Sequence, residues 1–477
     1  MTMKKIYIFI LLTIFSVFMI SCNNEEDDNK IDVPPITDDD EKTEPEGIFK
    51  YLGSDGDVYR MNITTDNSAF PENKETYIKG SLNVTEQDTT IVKHADMTMK
   101  IKLRGNSTSV AAKKPFKIKF DSKQSLFDLE AAKEWVLLAN YYDKSNMRNY
   151  LAYMTANKLD LGFQPTSIFI DVYFNNEYIG LYLLTEQMEA NKGRVDIEDN
   201  YSNEGVSSFL LEADDRAKDE YNGYKGHCYI SSGGYDFALK SPDADDYVDA
   251  LTDNDKDVLE QFDKDTAWLQ EFMDKVSAAI KTSDYDTYSK YIDVDSFIDY
   301  YLVQEMFKNL DVASTSQYYI IDQSKEEVKL SMGPVWDFDL AAGVVDETSS
   351  DTYAFYANTD LYVRERDHYY KCLFEDEKFR ELVALRYTEV RDEVFASILE
   401  EFDIAKGAIK KALNRNIKKW PLTTVRTTWV EVYALSENYY SIGYVKGHYE
   451  LLANVLKERL ELLDDNYLIK WYNYIRV

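Results

Sequence analysis

The chain has 477 residues, 44% hydrophobic and 14% aromatic, with a formal net charge of −32 at pH 7, so it can bury a sizeable core in one large domain or more than one. The acidic balance argues against nucleic acid as a partner, which needs a basic footprint. Three cysteines and four histidines argue against a disulfide framework and against a zinc-type cluster, while the 38 tyrosines suit partly wet packing or a carbohydrate-facing surface.

The first residues read as an export signal. Lys4 and Lys5 precede the apolar run Ile6–Ile20, which is too short for an ordinary membrane span. The run ends in Met-Ile-Ser-Cys, which resembles a bacterial lipobox with Cys22 as the lipidated residue. Residues 1–21 are therefore expected to be a signal peptide. Cys22 to Glu46 carries 11 acids and 2 lysines, with Pro34, Pro35 and Pro45 as further breakers, and reads as a disordered, self-repelling tether over 22–46. In some Gram-negative lipoproteins, acids after the lipidated Cys resemble a surface-export signal. The expected location is the outer membrane, reached through a lipid anchor, with display at the cell surface.

From Gly47 to about Asp196 short strands dominate. The stretches 57–63, 97–103 and 115–120 alternate at period two. A helix is expected over Ser145–Leu159, and 167–188 reads as a hairpin turning at Asn175-Asn176. From Asp243 to Asn309 apolar residues recur at helical spacing, with Asp at the caps. Strands are expected at Tyr318–Ile321 and Val328–Met332, followed by an extended Asp337-Phe338-Asp339. From about Glu375 the pattern is helical to the end. Cys228 and Cys372 are enough for one disulfide. The class is α+β, with a sheet-rich N-terminal half and a helix-rich C-terminal half.

Four groups of residues carry chemistry. The loop after Leu103 offers Arg104, Asn106 and Ser107 to an anion, and the next strand puts Lys117 and Lys119 on one face; an ordinary hairpin with solvated lysines has the same pattern. Glu186 ends an apolar strand, where it could hold a lysine or simply face water. Asp311 follows a helix C-terminus, where the helix dipole disfavours an acid. It could take a proton from a hydroxyl, and Gln317 could offer its carbonyl oxygen to Mg²⁺. Asp337 and Asp339 would share one face of a strand, with Trp336 and Phe338 on the other; hard oxygen donors suit Mg²⁺, Mn²⁺ or Ca²⁺.

The words LRGNST, KKPFKIKF, NYYDKSNMRNYLAYMTANKL, YIGLYLLTEQMEANKGRVDI, FLLEAD, LKSPD, EMFKNLD and MGPVWDFDLAAG occur in an order that resembles the CotH family, atypical kinases named for a spore coat protein. The resemblance implies an atypical protein-kinase-like fold, a kinase-like domain over 47–345 and a helical extension over 346–477 packed on it. It implies ATP and Mg²⁺ or Mn²⁺ as cofactors and a protein hydroxyl as acceptor. It makes Asp311 the catalytic base and Asp337 or Asp339 the metal ligand. Lys114 and Lys119 become phosphate contacts, with Glu186 a lysine partner. Two positions depart from the family: Gln317 stands where it has asparagine, and Ser109 replaces an aromatic. Two other readings stay open, a non-catalytic surface-binding or adhesion lipoprotein on the same fold, and a Ca²⁺-stabilised glycan-binding or glycan-degrading lipoprotein.

Overall fold

Alternation along the front half closes a barrel. Its strands are β1 (Tyr59–Thr65), β2 (Ile78–Thr85), β3 (Val92–Leu103), β4 (Phe116–Gln124), β5 (Ala132–Leu138), β6 (Ile168–Phe174) and β7 (Glu177–Glu186). They run in the order β1-β2-β3-β4-β5-β7-β6, and a parallel β1–β6 pair closes the ring. Phe116, Ile118 and Phe120 point inward, buried with Met61, Leu82 and Trp135, while Lys117 and Lys119 point outward. The β6–β7 turn has φ +49 at Asn175 and +69 at Asn176, the left-handed pair that a two-residue hairpin of this hand needs.

This computed structural model describes residues 47–343, 360–421, 425–426, 431–432 and 444–468, all in one compact unit, Glu46–Val477. The expected signal peptide, Cys22 and the acidic tether lie outside the described residues.

Between β5 and β6 runs α1 (Arg148–Lys158). It starts later than expected, after a turn held by Asp143, whose carboxylate accepts from Ser145 N (3.0 Å) and Arg148 N (2.9 Å). A second sheet follows, in the order β12-β11-β8-β10-β9. Its strands are β8 (Phe209–Ala213), β9 (Tyr229–Ser232), β10 (Tyr235–Ser241), β11 (Gln317–Ile321) and β12 (Leu330–Met332). The further helices of six or more residues are α2 (Ala244–Asp253), α3 (Lys256–Ile280), α4 (Val294–Phe307), α5 (His368–Leu373), α6 (Glu377–Val390), α7 (Ile398–Ala408), α8 (Lys410–Lys419) and α9 (Tyr444–Leu463). Asp243 and Asp255 cap α2 and α3 with their side chains. Helix α4 is buried on nearly every side, as a central helix must be.

One face of the second sheet packs on α3 and α5. Tyr235, Phe237 and Tyr319 meet Tyr369 or one another there, and Ser232 Oγ donates to Met273 O at 3.0 Å. The opposite face carries Glu212, Lys240 and Tyr318, with Glu212 directly across from Tyr318 and Ala238. Helix α8 docks on β7: Leu181 N donates to Asn416 Oδ1 (3.0 Å), and Trp420 Nε1 donates to Ile179 O (2.8 Å). Only glycine serves at position 180, with φ +133 and a Cβ that would sit 2.7 Å from Lys113 Cε. The two cysteines that could have formed one disulfide are free thiols: Cys228 is buried against Ala244 and Cys372 lies on α5.

Candidate functional site

Asp311 sits on a tight loop after α4. The helix ends at Lys308, φ +43, and Asn309 Oδ1 accepts from Asp311 N at 3.2 Å. The Asp311 carbonyl accepts from Ser314 N (3.1 Å), Ser314 Oγ (2.9 Å) and Thr315 N (3.2 Å). The loop is fixed through its own backbone.

Asp337 and Asp339 converge differently from expectation. Residues 333–338 form no strand, and Asp337 has φ +62, a left-handed conformation that Asp tolerates better than most residues. Trp336 and Phe338 are still buried. Trp336 stacks on Tyr153 with ring centres 5.8 Å apart, and Phe338 meets Phe307 edge-on at 5.6 Å. Distant side chains pin the backbone: Val335 N donates to Gln164 Oε1 (3.0 Å), Phe338 N to Asn149 Oδ1 (2.8 Å), and Asn309 Nδ2 to Asp337 O (3.3 Å). Arg148 closes the loop by donating to Ala341 O (2.8 Å) and Ala342 O (2.9 Å). Helix α1 thus serves as the mould for this loop.

The two carboxyls influence each other's protonation. Burial, then the charges of Asp337, Asp311 and Asp143, push Asp339 well above the ordinary carboxylate range. Burial also raises Asp337, while Arg104 and Arg216 hold it back. Like charges this close share a proton until a cation arrives. Arg104 lies over the Trp336 ring at 5.4 Å. Arg216 is clamped by Asp214 (2.8 and 3.1 Å) and donates to Thr315 Oγ1. Charges from the Asp311 and Asp143 segments therefore bear on the buried Asp337–Asp339 pair, with Arg104 and Arg216 acting against them.

Most of the other expected contacts take different partners. Gln317 faces away from the carboxylates. In β11 it shares a face with Tyr319, and its Nε2 donates to Asp367 Oδ2 at 2.9 Å; strand parity carries Tyr318 to the site instead. Glu186 holds no lysine: it accepts from Thr166 N (2.7 Å) and Thr166 Oγ1 (3.0 Å). The lysine partner is Glu134 on β5, which pairs with Lys119 at 2.7 Å and also with Lys117. Lys114 donates to Ser109 O at 2.8 Å, within its own loop. Asn106 Oδ1 accepts from Lys74 Nζ at 3.0 Å, and Ser107 O accepts from Tyr142 OH at 3.1 Å. Of the anion-loop residues, Arg104 is the one whose charge reaches Asp337.

Asn149, Arg148, Asn309, Glu134, Glu212, Arg216 and Lys240 were not singled out from the sequence. Glu212 and Lys240 had a signal, as lone charges inside the apolar runs FLLEA and FALKS. The donor set Asp311, Asp337 and Asp339 is all carboxylate oxygen, which fits a hard divalent cation. Among the described residues no group of three or more His, Cys, Asp or Glu is arranged to hold a metal. The aspartate pair would therefore need phosphate oxygens and water to complete a coordination shell, as is usual for Mg²⁺.

None of the curated proteins compared with the chain matches it. The family model described as CotH kinase protein matches residues 101–462, a span that holds the anion loop, the lysine strand, α1, Asp311 and the aspartate pair. The chain belongs to the CotH kinase family.

Proposed function

We propose that the chain is an exported, kinase-fold phosphotransferase that moves the γ-phosphate of ATP to a protein hydroxyl with Mg²⁺ or Mn²⁺. The observation that supports this most is the buried pair Asp337 and Asp339, whose charge feels both Asp311 and Arg104. Asp311 is the base that takes the proton of the acceptor hydroxyl. Asp337 and Asp339 are the residues that would hold the metal, which would supply charge neutralisation at the phosphates. Arg104 lines the site as a fixed cation, and Trp336 and Phe338 keep the pair rigid, since positioning supplies most of the rate in such sites. Cys22 is the proposed lipid attachment point, with the outer membrane and cell surface as location. No described helix is long and apolar enough to cross a membrane.

The test is transfer of labelled γ-phosphate by purified protein with Mn²⁺. Wild type should label an acceptor or itself, and Asp311→Ala and Asp337→Ala should each lower the rate by about 10²-fold or more. Equal labelling by all three would sink the reading. A second reading, a non-catalytic binding protein, has one observation in its favour: Gln317 turns its amide to Asp367, leaving one metal ligand fewer than the resemblance implies. Calorimetry that finds no Mg·ATP binding would favour it.

A further inference from the structure

Five lysines stand on the outward face of three neighbouring barrel strands, in a chain whose net charge is −32. The register sets them against one another. Lys79 on β2 lies directly across from Lys100 on β3, Lys100 across from Lys119 on β4, and Lys102 across from Lys117. Like charges in such positions repel and weaken a sheet. The molecule answers part of this charge: Glu134 pairs with Lys117 and Lys119. Among the described residues no carboxylate forms an ion pair with Lys79, Lys100 or Lys102, and Asp245 on α2 acts on Lys102 from a distance without pairing with it.

Lys100 and Lys102 hold their ammonium groups over the Tyr77 ring, 4.9 and 4.7 Å from its centre, and Lys79 is exposed beside them. The ring keeps together two ammonium groups that would otherwise spread apart. Backbone pairing continues one residue past β3, where Arg104 N donates to Pro115 O at 3.3 Å, so Arg104 shares the parity of Lys100 and Lys102. Its guanidinium lies over Trp336, the residue before Asp337. A line of cations at 100, 102 and 104 therefore leads along β3 from the open barrel wall to the aspartate loop. Alternate residues of a strand are about 6.6 Å apart, so an extended segment laid along β3 can set an acid over each of these cations. The line spans about 13 Å along the strand and widens onto β2 at Lys79, a shape that suits a peptide better than a compact triphosphate.

We propose that Lys79, Lys100 and Lys102 dock an acidic, extended segment of the acceptor protein, with Asp or Glu at alternate positions to one side of the hydroxyl that is phosphorylated. Tyr77 holds two of the three ammonium groups in one place. The role of this partner as acceptor rests on the phosphotransferase reading, whereas its class, an acidic peptide, rests on the sheet face itself.

The test uses three synthetic peptides, each with one serine flanked on one side, at alternate positions, by Glu, by Gln or by Lys. Fluorescence anisotropy with the full chain should show the Glu peptide binding about tenfold or more tighter than the Gln peptide and the Lys peptide binding weakest, with the preference fading in about 0.5 M salt. A chain carrying Lys79→Gln, Lys100→Gln and Lys102→Gln together should lose the preference. Its melting point should equal or exceed that of wild type, because facing like charges are gone, and its thermal shift on Mn·ATP should match wild type. Equal binding of the three peptides to wild type, or an undiminished Glu preference in the triple variant, would overturn the inference and leave the phosphotransferase reading standing. A triple variant that loses the Mn·ATP shift seen in wild type would also overturn it, since the face would then serve the nucleotide. If the Glu peptide binds as expected but wild type transfers no phosphate, the phosphotransferase reading falls and the acidic-peptide site remains. Should the triple variant not fold, amine acylation of the wild type, mapped by mass spectrometry, decides: the Glu peptide should protect Lys79, Lys100 and Lys102, and their full labelling in its presence would overturn the inference.

Discussion

Gln317 is held by Asp367, and that single bond decides what the residue can do. Asp367 spends its other oxygen capping α5, accepting from Tyr369 N and Tyr370 N at 2.9 Å each. An asparagine at 317 is one methylene shorter and cannot reach. Gln317→Asn should cost about 1–2 kcal/mol, the penalty for a buried acceptor left without its donor, read as a lower melting point. It should not raise phosphate transfer, because the side chain would still leave the sheet on the face away from Asp337. A tenfold gain in transfer at an unchanged melting point would show that the amide does reach the metal site. His448 offers a test of the same kind for pH. It is partly buried beside Arg148, and burial, then the Arg148 charge, lowers its pKa to about 4 from the ordinary 6.5. The unfolded chain takes up this proton below about pH 6.5, while the folded chain refuses it until about pH 4. Stability from this group is complete above the upper value and falls as pH drops toward the lower one. His448→Gln should remove on the order of 2–3 kcal/mol of that acid sensitivity, measured as the difference between wild-type and variant denaturation midpoints at pH 7.5 and pH 4.5.

At the scale of elements, helix α8 is the part most clearly built for one purpose. Arg415 donates to Asp57 (2.7 and 2.9 Å) and to Asp171 (2.7 Å). Asp171 lies on β6 and Asp57 just before β1, and both are buried. Arg415→Ala leaves two buried carboxylates without a cation, and should destabilise by about 3 kcal/mol; Asp171→Asn in the same chain should recover part of the loss. Equal melting points for wild type and Arg415→Ala would mean that α8 is not a brace. Elements of this chain were legible in the sequence where local chemistry decides. Asn175-Asn176 can only be a left-handed turn, Phe116–Phe120 alternates cleanly, and Asp243 and Asp255 announce their helices. Strands β8 to β10 were not read, because Phe209–Ala213 is buried on both faces and shows no alternation. Strand β5 was hidden beside the approach to α1. The shape of the aspartate loop was illegible for another reason: Asn149 and Arg148, nearly two hundred positions away, set it through hydrogen bonds. Asp311 and the pair were found as candidates from residue type and order. The orientation of Gln317 depends on strand parity, which the residue type alone does not reveal.

At the scale of the whole molecule the question is whether the helices after Gly343 are an appendage or part of the core. Arg459 on α9 donates to the Glu305 carboxylate at 2.5 Å and to Glu305 O, and both side chains are fully buried. Glu305 in turn accepts from Tyr362 N and Val363 N (2.7 and 2.9 Å). Tyr467 shares a hydrogen bond with Tyr301 at 2.7 Å, and Leu452, Leu456 and Leu463 are buried. The C-terminal helices thus neutralise a charge in the last turn of α4, the helix that leads into Asp311. Through α8 they also neutralise two charges at the barrel. Leaving a buried charge without its partner costs roughly 3–5 kcal/mol, and two such sites would consume most of the roughly 5–15 kcal/mol that holds a domain together. A chain ending at Gly343 should therefore show no cooperative thermal unfolding by circular dichroism and should aggregate on size exclusion, although it retains every residue proposed for catalysis. Its Glu305→Gln, Asp57→Asn, Asp171→Asn form should recover part of the transition, since the uncompensated charges are gone. A chain ended at 343 that melts cooperatively within a few degrees of the full chain would instead make position 345 a true domain boundary, with the later helices a separable extension.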